Sequence, residues 1–250
     1  MKYKALFLDV DGTIVIHGFY NLPSTKVTEA INKCKQINLA VCLATSRPLY
    51  AVRAIIEHLD LRGYCIISSG TQIYDVQKKK IVIEKLLPKA AMYKVMSVAK
   101  EFHAELRIFD GVGELTYDGT NLPKKVVGVY FPELTFEIFQ KINKELEGIP
   151  DISLHRMPAW DKRFECLDIT HKDASKLHAI TEVAGLLGIQ THEMIGVGDG
   201  YNDFPLLMAC GLKIAMGNAV PELKAIADFV APSVEEDGVA TIIEKFILGK

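Results

Sequence analysis

Hydrophobic and polar positions occur in blocks along this chain, and the apolar blocks predict strands that are buried on both faces. Short runs of strand-forming residues end abruptly in small or polar residues. Continuous hydrophobicity of this kind is typical of a parallel sheet with helices on both sides. We predict such strands at Tyr3–Val10, Leu39–Ala44, Tyr64–Ser68, Met194–Val197, Leu212–Ala215 and Phe229–Ala231.

Helical patterns separate these strands. The first follows the helix-start signal Pro23-Ser24-Thr25 and places Val27, Ile31 and Cys34 on one face. The others are predicted at Tyr50–Leu59, at Ala174–Leu187 with Asp173 as its cap, near Asn202–Met208, from Pro221 and from Asp237. The alternation of strands and helices predicts right-handed crossovers and a doubly wound, mostly parallel α/β sheet.

The middle of the chain has a different pattern. Two helical segments, Lys89–Phe102 and Leu134–Leu146, lie among short strand patterns, and Asp110-Gly111-Val112-Gly113 is a hairpin signal. The strand patterns are Glu105–Phe109, Glu114–Tyr117, Val126–Tyr130, Ile152–Arg156 and Phe164–Ile169. This order favours an α+β layer with a mostly antiparallel sheet. We therefore predict a core formed by residues 1–83 and 169–250, with an α+β domain inserted at 84–168.

Composition limits the class of protein. The 250 residues are 49% hydrophobic and 24% charged, which is ordinary for a globular protein, and the formal net charge of −2 argues against binding nucleic acid by bulk charge. The five cysteines are scattered and include no C-x-x-C pair, so we expect reduced thiols. The sequence contains neither a secretory apolar segment nor a run long enough to span a bilayer, so we expect a soluble cytoplasmic protein without a membrane partner.

Polar side chains follow three of the predicted strands. Asp9 and Asp11 come after the first strand and Thr45 after the second. A late strand is followed by Asp199 and Asp203. Ligands bind at the carboxyl ends of strands in open α/β sheets, and clustered carboxylates need a positive charge to offset their repulsion. An all-oxygen ligand set favours Mg²⁺, which takes further ligands from water and phosphate. The pattern thus predicts a magnesium site with a phosphate substrate.

These motifs admit other interpretations. An ordinary Asp/Gly turn after the first strand is the simplest alternative. A calcium loop counted from Asp9 would need glycine at Ile14 and glutamate at Tyr20, and a dinucleotide-binding motif would need glycine at Tyr201. Both of these therefore fail, and the sequence has no P-loop and no Cys/His cluster with zinc spacing.

The motifs together resemble those of the haloacid dehalogenase superfamily of phosphohydrolases. They are Asp9-Val10-Asp11-Gly12-Thr13, Thr45-Ser46-Arg47, Lys176 and Gly198-Asp199-Gly200-Tyr201-Asn202-Asp203. Their order and spacing are most similar to the Cof-type branch, in which a type IIB cap lies between the second and third motifs. The stretch Ala215-Met216-Gly217-Asn218-Ala219 is also similar to that branch. Ser46 departs from the branch, which often has glycine there; serine keeps the backbone donor and adds a hydroxyl.

The resemblance implies a role for each motif. Asp9 is implied as the nucleophile that forms an aspartyl-phosphate, and Asp11 as the acid and then the base. The implied metal ligands are Asp9, the backbone carbonyl of Asp11, and Asp199, with Asp203 in support. The implied phosphate-binding groups are Thr45, Lys176, Asn202 and the backbone N–H groups near Val10 and Ser46. Taken alone, Lys176 near a helix start would be a solvated surface charge. Arg47 either takes part in the site or fixes the loop before Pro48.

The resemblance therefore implies a Mg²⁺-dependent phosphatase for small phosphate monoesters, sugar phosphates first and then pyridoxal phosphate or flavin mononucleotide. The cap would exclude water and set selectivity. Two alternatives stay open: a phosphomutase, and a non-catalytic phosphate sensor, which a base at Asp11 disfavours. Trp160, Asp161 and Arg163 either face the substrate or pack a hinge. We expect a monomer or a weak homo-oligomer that binds a small phosphate ester.

Overall fold

The computed structural model describes residues 2–16, 18, 21–120, 122–159, 161 and 163–249. The chain divides into two compact units, one formed by Met1–Ile83 with Ser175–Lys250 and the other by Glu84–Ala174. The predicted limit of the insertion at residue 168 falls inside a strand, Glu165–His171, that belongs to the second unit. Trp160 lies outside the described residues.

The strands and helices have the following bounds. The strands are β1 (Ala5–Leu8), β2 (Ala40–Ala44), β3 (Tyr64–Ile67), β4 (Gln72–Asp75), β5 (Lys80–Glu84), β6 (Arg107–Phe109), β7 (Glu114–Thr116), β8 (Gly128–Leu134), β9 (Ile152–Pro158), β10 (Glu165–His171), β11 (Met194–Gly198), β12 (Leu212–Ala215) and β13 (Phe229–Val230). The helices are α1 (Thr25–Gln36), α2 (Leu49–His58), α3 (Lys89–Glu101), α4 (Phe136–Leu146), α5 (Lys176–Leu187), α6 (Phe204–Ala209), α7 (Pro221–Ile226) and α8 (Gly238–Phe246).

The first unit is built on a sheet with the strand order β13-β12-β11-β1-β2-β3-β4-β5. The strands from β13 to β3 run parallel to their neighbours, while β4 is antiparallel to β3. The order reverses at β1, which lies between β2 and β11. A reversal of this kind opens a crevice at the carboxyl ends of the strands, where ligands bind. The doubly wound, mostly parallel sheet predicted from the sequence is confirmed.

Burial explains why β1 lies at the centre of the sheet. Every residue of this strand is fully buried, as expected for an apolar run covered on both faces. Burying one large aliphatic or aromatic side chain stabilises a fold by about 1.5–3 kcal/mol. Phe7 and Leu6 are therefore among the residues that hold the strand, and with it the loop that follows, in one position.

Side-chain caps set the starts of α1 and α5. Ser24 caps α1 by accepting a hydrogen bond from the backbone N–H of Val27 at 3.2 Å, as the sequence predicts. The predicted start of α5 is wrong, because Ser175 and not Asp173 is the cap. Asp173 instead lies in a turn after β10, where its backbone N–H donates to His171 Nδ1 at 3.1 Å. Lys176 is consequently the first residue of the helix.

The second unit contains an antiparallel sheet with the order β7-β6-β8-β10-β9. Its hydrophobic cluster joins α3 and α4 to one face of this sheet and includes the fully buried Phe131 and Leu167. Strand β8 continues past its predicted end at Tyr130 and includes Pro132. The pairing register between β8 and β10 shifts there, which lets the sheet accommodate a residue without an N–H.

No helix among the described residues combines the length and the apolar composition that crossing a membrane requires.

Candidate active site

The polar residues that follow β1, β2 and β11 meet at one edge of the first unit's sheet. Leu8 at the end of β1 pairs with Leu43 of β2 on one side and with Val197 of β11 on the other, all in parallel. The next residues along each strand therefore emerge together. The backbone N–H of Asp9 donates to the carbonyl of Val197 in β11 at 3.0 Å, which fixes Asp9 beside that strand.

Three buried carboxylates form the centre of this site. Asp9, Asp199 and Asp203 each offer an oxygen, and these oxygens lie within 4.8 Å of one another. Asp203 is completely buried because the short 3-10 turn after Gly200 directs it inward. Its Oδ2 accepts hydrogen bonds from the backbone N–H groups of Asp199 and Gly200, both at 3.0 Å. We call Asp9, Asp199 and Asp203 the acidic triad.

Lys176 joins two members of the acidic triad. Its Nζ donates to Asp9 Oδ1 at 2.7 Å and to Asp203 Oδ1 at 2.5 Å. The lysine is only 3% exposed, so it is not the solvated charge that its position alone would suggest. Burial acts to lower the pKa of Lys176, but the two carboxylates outweigh burial and raise that pKa above its usual value. The ammonium group is therefore held in its charged form.

Gly70 allows Lys176 to reach this position. The glycine has a φ of +96°, and a Cβ there would overlap the backbone of Ser175 where α5 begins. The loop around it is tied to the loop after β2, since Ser68 N–H donates to the Arg47 carbonyl at 2.9 Å. A glycine between β3 and β4 thus sets how closely the helix start approaches the sheet edge.

The charges of the acidic triad are not balanced by the lysine. Burial raises the pKa of Asp9 to about 8, the carboxylate of Asp203 adds to this, and Lys176 only partly opposes it. Three clustered carboxylates with one ammonium group therefore lack positive charge. Carboxylate oxygens are the ligands that Mg²⁺ prefers, so the donor set and its charge both fit that ion.

Asp199 is held in place by residues of two other loops. Thr13 Oγ1 donates to its Oδ1 at 3.2 Å, and Asn218 Nδ2 donates to its Oδ2 at 3.4 Å. Asn218 also donates to the Gly12 carbonyl at 2.8 Å and so joins the loop after β12 to the loop after β1. A Cβ at Gly12 would overlap the Asp199 carboxylate, and the φ of +76° there also favours glycine. The sequence assigned no role to Asn218, although its place after a strand at the same edge is a usable signal.

Asp11 lies outside the acidic triad. Its side chain is 30% exposed, and both of its oxygens are bound by Arg47. Arg47 Nε donates to Asp11 Oδ2 at 2.7 Å and Nη2 donates to Asp11 Oδ1 at 2.5 Å. The sequence left Arg47 open between two roles, and the structure places it in direct contact with a predicted catalytic residue.

The predicted phosphate-binding groups differ in burial and in the hydrogen-bond donors that they leave available. Thr45 is buried, and its Oγ1 accepts a hydrogen bond from the Arg47 backbone N–H at 3.1 Å, which leaves its own proton to donate. Within the described residues, the backbone N–H groups of Val10 and Ser46 donate no hydrogen bond and remain available as donors. The side chains of Ser46 and Asn202 are exposed.

Asp161 and Arg163, which the sequence left open, pair with each other at 2.5 Å on the surface of the second unit. Arg163 is 81% exposed in its side chain.

This chain is similar to known proteins over nearly its whole length. A family model described as haloacid dehalogenase-like hydrolase matches residues 6–145 and 114–243. A 5-amino-6-(5-phospho-D-ribitylamino)uracil phosphatase of Bacillus subtilis is 26% identical, with 99% of each chain covered. A phosphoglycolate phosphatase of Staphylothermus marinus is 24% identical, with 96% of this chain and 95% of that protein covered.

Solved structures share the fold. A haloacid dehalogenase-like hydrolase from Bacteroides thetaiotaomicron superposes with a TM-score of 0.82 at 22% identity, covering 98% of this chain and 100% of that one. A sugar phosphatase of subclass IIB of the same superfamily superposes with a TM-score of 0.75 at 22% identity, covering 97% and 98% of the two chains. The chain thus has the fold, including the second unit, that the sequence predicted.

Proposed function

Because this chain belongs to the haloacid dehalogenase-like hydrolase family, we propose that it is a Mg²⁺-dependent phosphatase that acts on small phosphate monoesters through an aspartyl-phosphate on Asp9. The relatives named above are phosphatases matched over nearly their whole length, which supports this enzyme class. The observation that carries the mechanism is the different placement of Asp9 and Asp11. The first is buried beside Lys176, and the second is half-exposed beside Arg47.

In the first step, an oxygen of Asp9 forms a bond to phosphorus while the bond from phosphorus to the leaving oxygen breaks. Asp11, protonated at that moment, gives its proton to the leaving oxygen, so the alcohol departs uncharged. The Asp9 carboxylate is restricted in position because Lys176 holds Oδ1 at 2.7 Å. This restriction favours attack by lowering the entropy that the reaction must lose.

In the second step, a water oxygen attacks phosphorus and its proton passes to the Asp11 carboxylate. The bond between phosphorus and the Asp9 oxygen breaks, which releases inorganic phosphate and restores the Asp9 carboxylate. Asp11 returns to its protonated form and is ready for the next substrate. Its partial exposure suits this exchange with water, because a fully buried group could not reach a solvent molecule.

Charge stabilisation would come from several groups around the phosphoryl oxygens. Lys176, the Thr45 hydroxyl and the backbone N–H groups of Val10 and Ser46 are the available donors. The acidic triad would hold Mg²⁺, and the bound ion would offset the repulsion between the carboxylates and a dianionic phosphate. The Asp11 carboxylate is not in the acidic triad, which agrees with a contribution through its backbone carbonyl alone.

We infer a hydroxyl-rich leaving group, with sugar phosphates first among the substrates. Two relatives support this inference. The Bacillus subtilis relative acts on a ribityl phosphate, and the subclass IIB structure is a sugar phosphatase. The resemblance predicts that the second unit selects the leaving group. Pyridoxal phosphate and flavin mononucleotide are the next substrates to test.

A polar row across the second unit's sheet supports this inference. Arg107 pairs with Tyr130, Tyr130 with Asp168, and Asp168 with His155, on adjacent strands. Since neighbouring residues of a strand point to opposite faces, this row lies opposite the hydrophobic cluster on which α3 and α4 pack. Burial raises the pKa of Asp168 to about 6. The row supplies the hydrogen-bond donors and acceptors that hydroxyl groups require.

The test of the proposed function is Asp9→Asn, assayed for phosphate release from p-nitrophenyl phosphate and from a panel of sugar phosphates with and without Mg²⁺. We expect at least about a 10³-fold loss, because the amide is a far poorer nucleophile. Asp60→Asn, at an exposed pair of the same unit, is the matched control and should retain activity. Undiminished turnover in the Asp9 variant contradicts the mechanism. Transfer of phosphate to a second hexose phosphate, with no free phosphate, would instead identify a phosphomutase.

A further inference from the structure

Arg47 is more firmly held than a residue that merely lines a loop. Its side chain is 9% exposed, and its guanidinium donates to the Ala51 carbonyl at 3.3 Å and the Gly18 carbonyl at 2.9 Å in addition to Asp11. The Ala51 carbonyl belongs to α2, and Gly18 lies in the segment after the first motif. The guanidinium is therefore oriented from several directions before it meets the Asp11 carboxylate.

The contact between Arg47 and Asp11 is bidentate. Nε and Nη2 bind separate carboxylate oxygens at 2.7 and 2.5 Å, a geometry that only the planar guanidinium can provide. Lysine would keep the charge at this position but would lose the fork. Substitution by lysine therefore distinguishes the charge of Arg47 from the shape of its guanidinium.

The position of Asp11 makes this contact consequential. Asp11 is two residues from Asp9, and its side chain ends in a carboxylate like those of the acidic triad. That carboxylate is nevertheless not part of the triad. A fourth carboxylate near the triad would be drawn to any divalent cation bound there. Arg47 supplies a competing positive charge and holds Asp11 away from that position.

We infer that Arg47 is a positioning residue that keeps the Asp11 carboxyl out of the cation-binding group and directed toward the leaving oxygen. This inference rests on the proposed function. When Asp11 carries a proton, the oxygen that bears it releases its hydrogen bond from Arg47 and faces the leaving oxygen. The other oxygen of Asp11 keeps its hydrogen bond from Arg47, which holds the carboxyl group in place. Arg47 itself touches neither the phosphate nor the leaving group.

The first test compares Arg47→Ala and Arg47→Lys with the wild type on two substrates. p-Nitrophenyl phosphate has a leaving group that departs without a proton, whereas glycerol phosphate has one that needs it. We expect kcat/KM for glycerol phosphate to fall about 100-fold in both variants, while kcat/KM for p-nitrophenyl phosphate changes less than about 3-fold. The ratio kcat/KM is used because it reports the steps up to departure of the alcohol.

Two results of that assay would overturn the inference. Equal losses on both substrates would mean that Arg47 binds the phosphate directly. Full activity in Arg47→Lys would mean that charge alone is sufficient and the fork has no role. Arg62→Lys, an exposed arginine of the same unit, is the matched control and should leave both ratios unchanged.

The second test does not depend on turnover. Binding of Mn²⁺ is measured by calorimetry for the wild type, Arg47→Ala and the double variant Arg47→Ala with Asp11→Asn. We expect about 10-fold tighter binding in Arg47→Ala, because the freed carboxylate joins the acidic triad, and a return to wild-type affinity in the double variant. Unchanged affinity in Arg47→Ala contradicts the inference. If the wild type hydrolyses no phosphate ester, the proposed function fails, and the Mn²⁺ measurement still decides where Arg47 holds Asp11.

Discussion

Asp9 and Asp11 lie two residues apart in one loop, and their surroundings differ in nearly every respect. Asp9 is 4% exposed, lies among other carboxylates and is bound by a buried lysine. Asp11 is 30% exposed in its side chain and is bound at both oxygens by an arginine. The roles proposed above, nucleophile for Asp9 and acid–base group for Asp11, rest on this difference, because the partners of a side chain set its chemistry.

The comparison also shows how the fold uses its two cations. Lys176 is a compact charge at a helix start and can contact two separate carboxylates at once. Arg47 is a planar fork and is matched to one carboxylate only. The lysine therefore joins different loops into one buried group, while the arginine keeps a single side chain apart from it.

The largest loss is expected from Lys176→Met, which removes the cation that binds Asp9. The variant leaves Asp9 and Asp203 facing each other in a buried site without their cation. Removing one partner of a buried ion pair costs about 3–5 kcal/mol, and we expect urea denaturation to show a loss of that order. Phosphate release should fall by about 10³-fold because the phosphoryl oxygens also lose a charged donor.

The exposed lysine Lys172 is the matched control. It pairs with Asp151 at 2.6 Å, and both side chains are about half-exposed. Lys172→Met should keep wild-type turnover and unfold at nearly the same urea concentration, since exposed pairs contribute little. Comparable losses in the two variants would show that Lys176 is no different from a surface charge.

A weaker effect is expected from Asn218→Ala, which tests whether Asn218 orients Asp199 as a metal ligand. The substitution removes the hydrogen bonds to Asp199 Oδ2 and to the Gly12 carbonyl. Groups that orient a metal ligand typically affect affinity 10–100-fold, so we expect Mg²⁺ to bind about 10-fold more weakly. Activity at saturating Mg²⁺ should recover most of its wild-type value. Asn143→Ala, on a helix of the second unit, is the control for a lost asparagine, and equal Mg²⁺ affinities in the two variants would contradict the assignment.

Without divalent cations, we expect the thermal stability to depend on pH through Asp9. The pKa of Asp9 rises from about 3.8 to about 8 on folding, so the folded protein binds more protons than the unfolded chain between those values. Stability should therefore decline as pH rises from about 4 to about 8, and the melting temperature should fall across that range.

Two additions test the origin of that decline. Mg²⁺ should reverse it most strongly at pH 8, because cation binding and protonation compete for the same carboxylates. Asp9→Asn should flatten the curve, since asparagine does not titrate. A decline of equal size in that variant would assign the pH dependence to other groups.

Much of the architecture could be read from local patterns. The buried strand β1, the start of α1 at its Ser24 cap and the hairpin at Asp110 were predicted because hydrophobic periodicity, capping and turn chemistry act within a few residues. The start of α5 was misplaced because Asp173 and Ser175 are both good caps, and only the turn after β10 selects between them.

The chain's own pattern was sufficient to name the polar residues at the strand ends and to anticipate their meeting at one sheet edge. It could not assign Arg47 to Asp11, place Asn218 on Asp199, or tell that Lys176 is buried rather than solvated. Each of these contacts joins loops that are far apart in the chain. Local propensity carries no information about such distances, because they are fixed only when strands pair and helices pack into one fold.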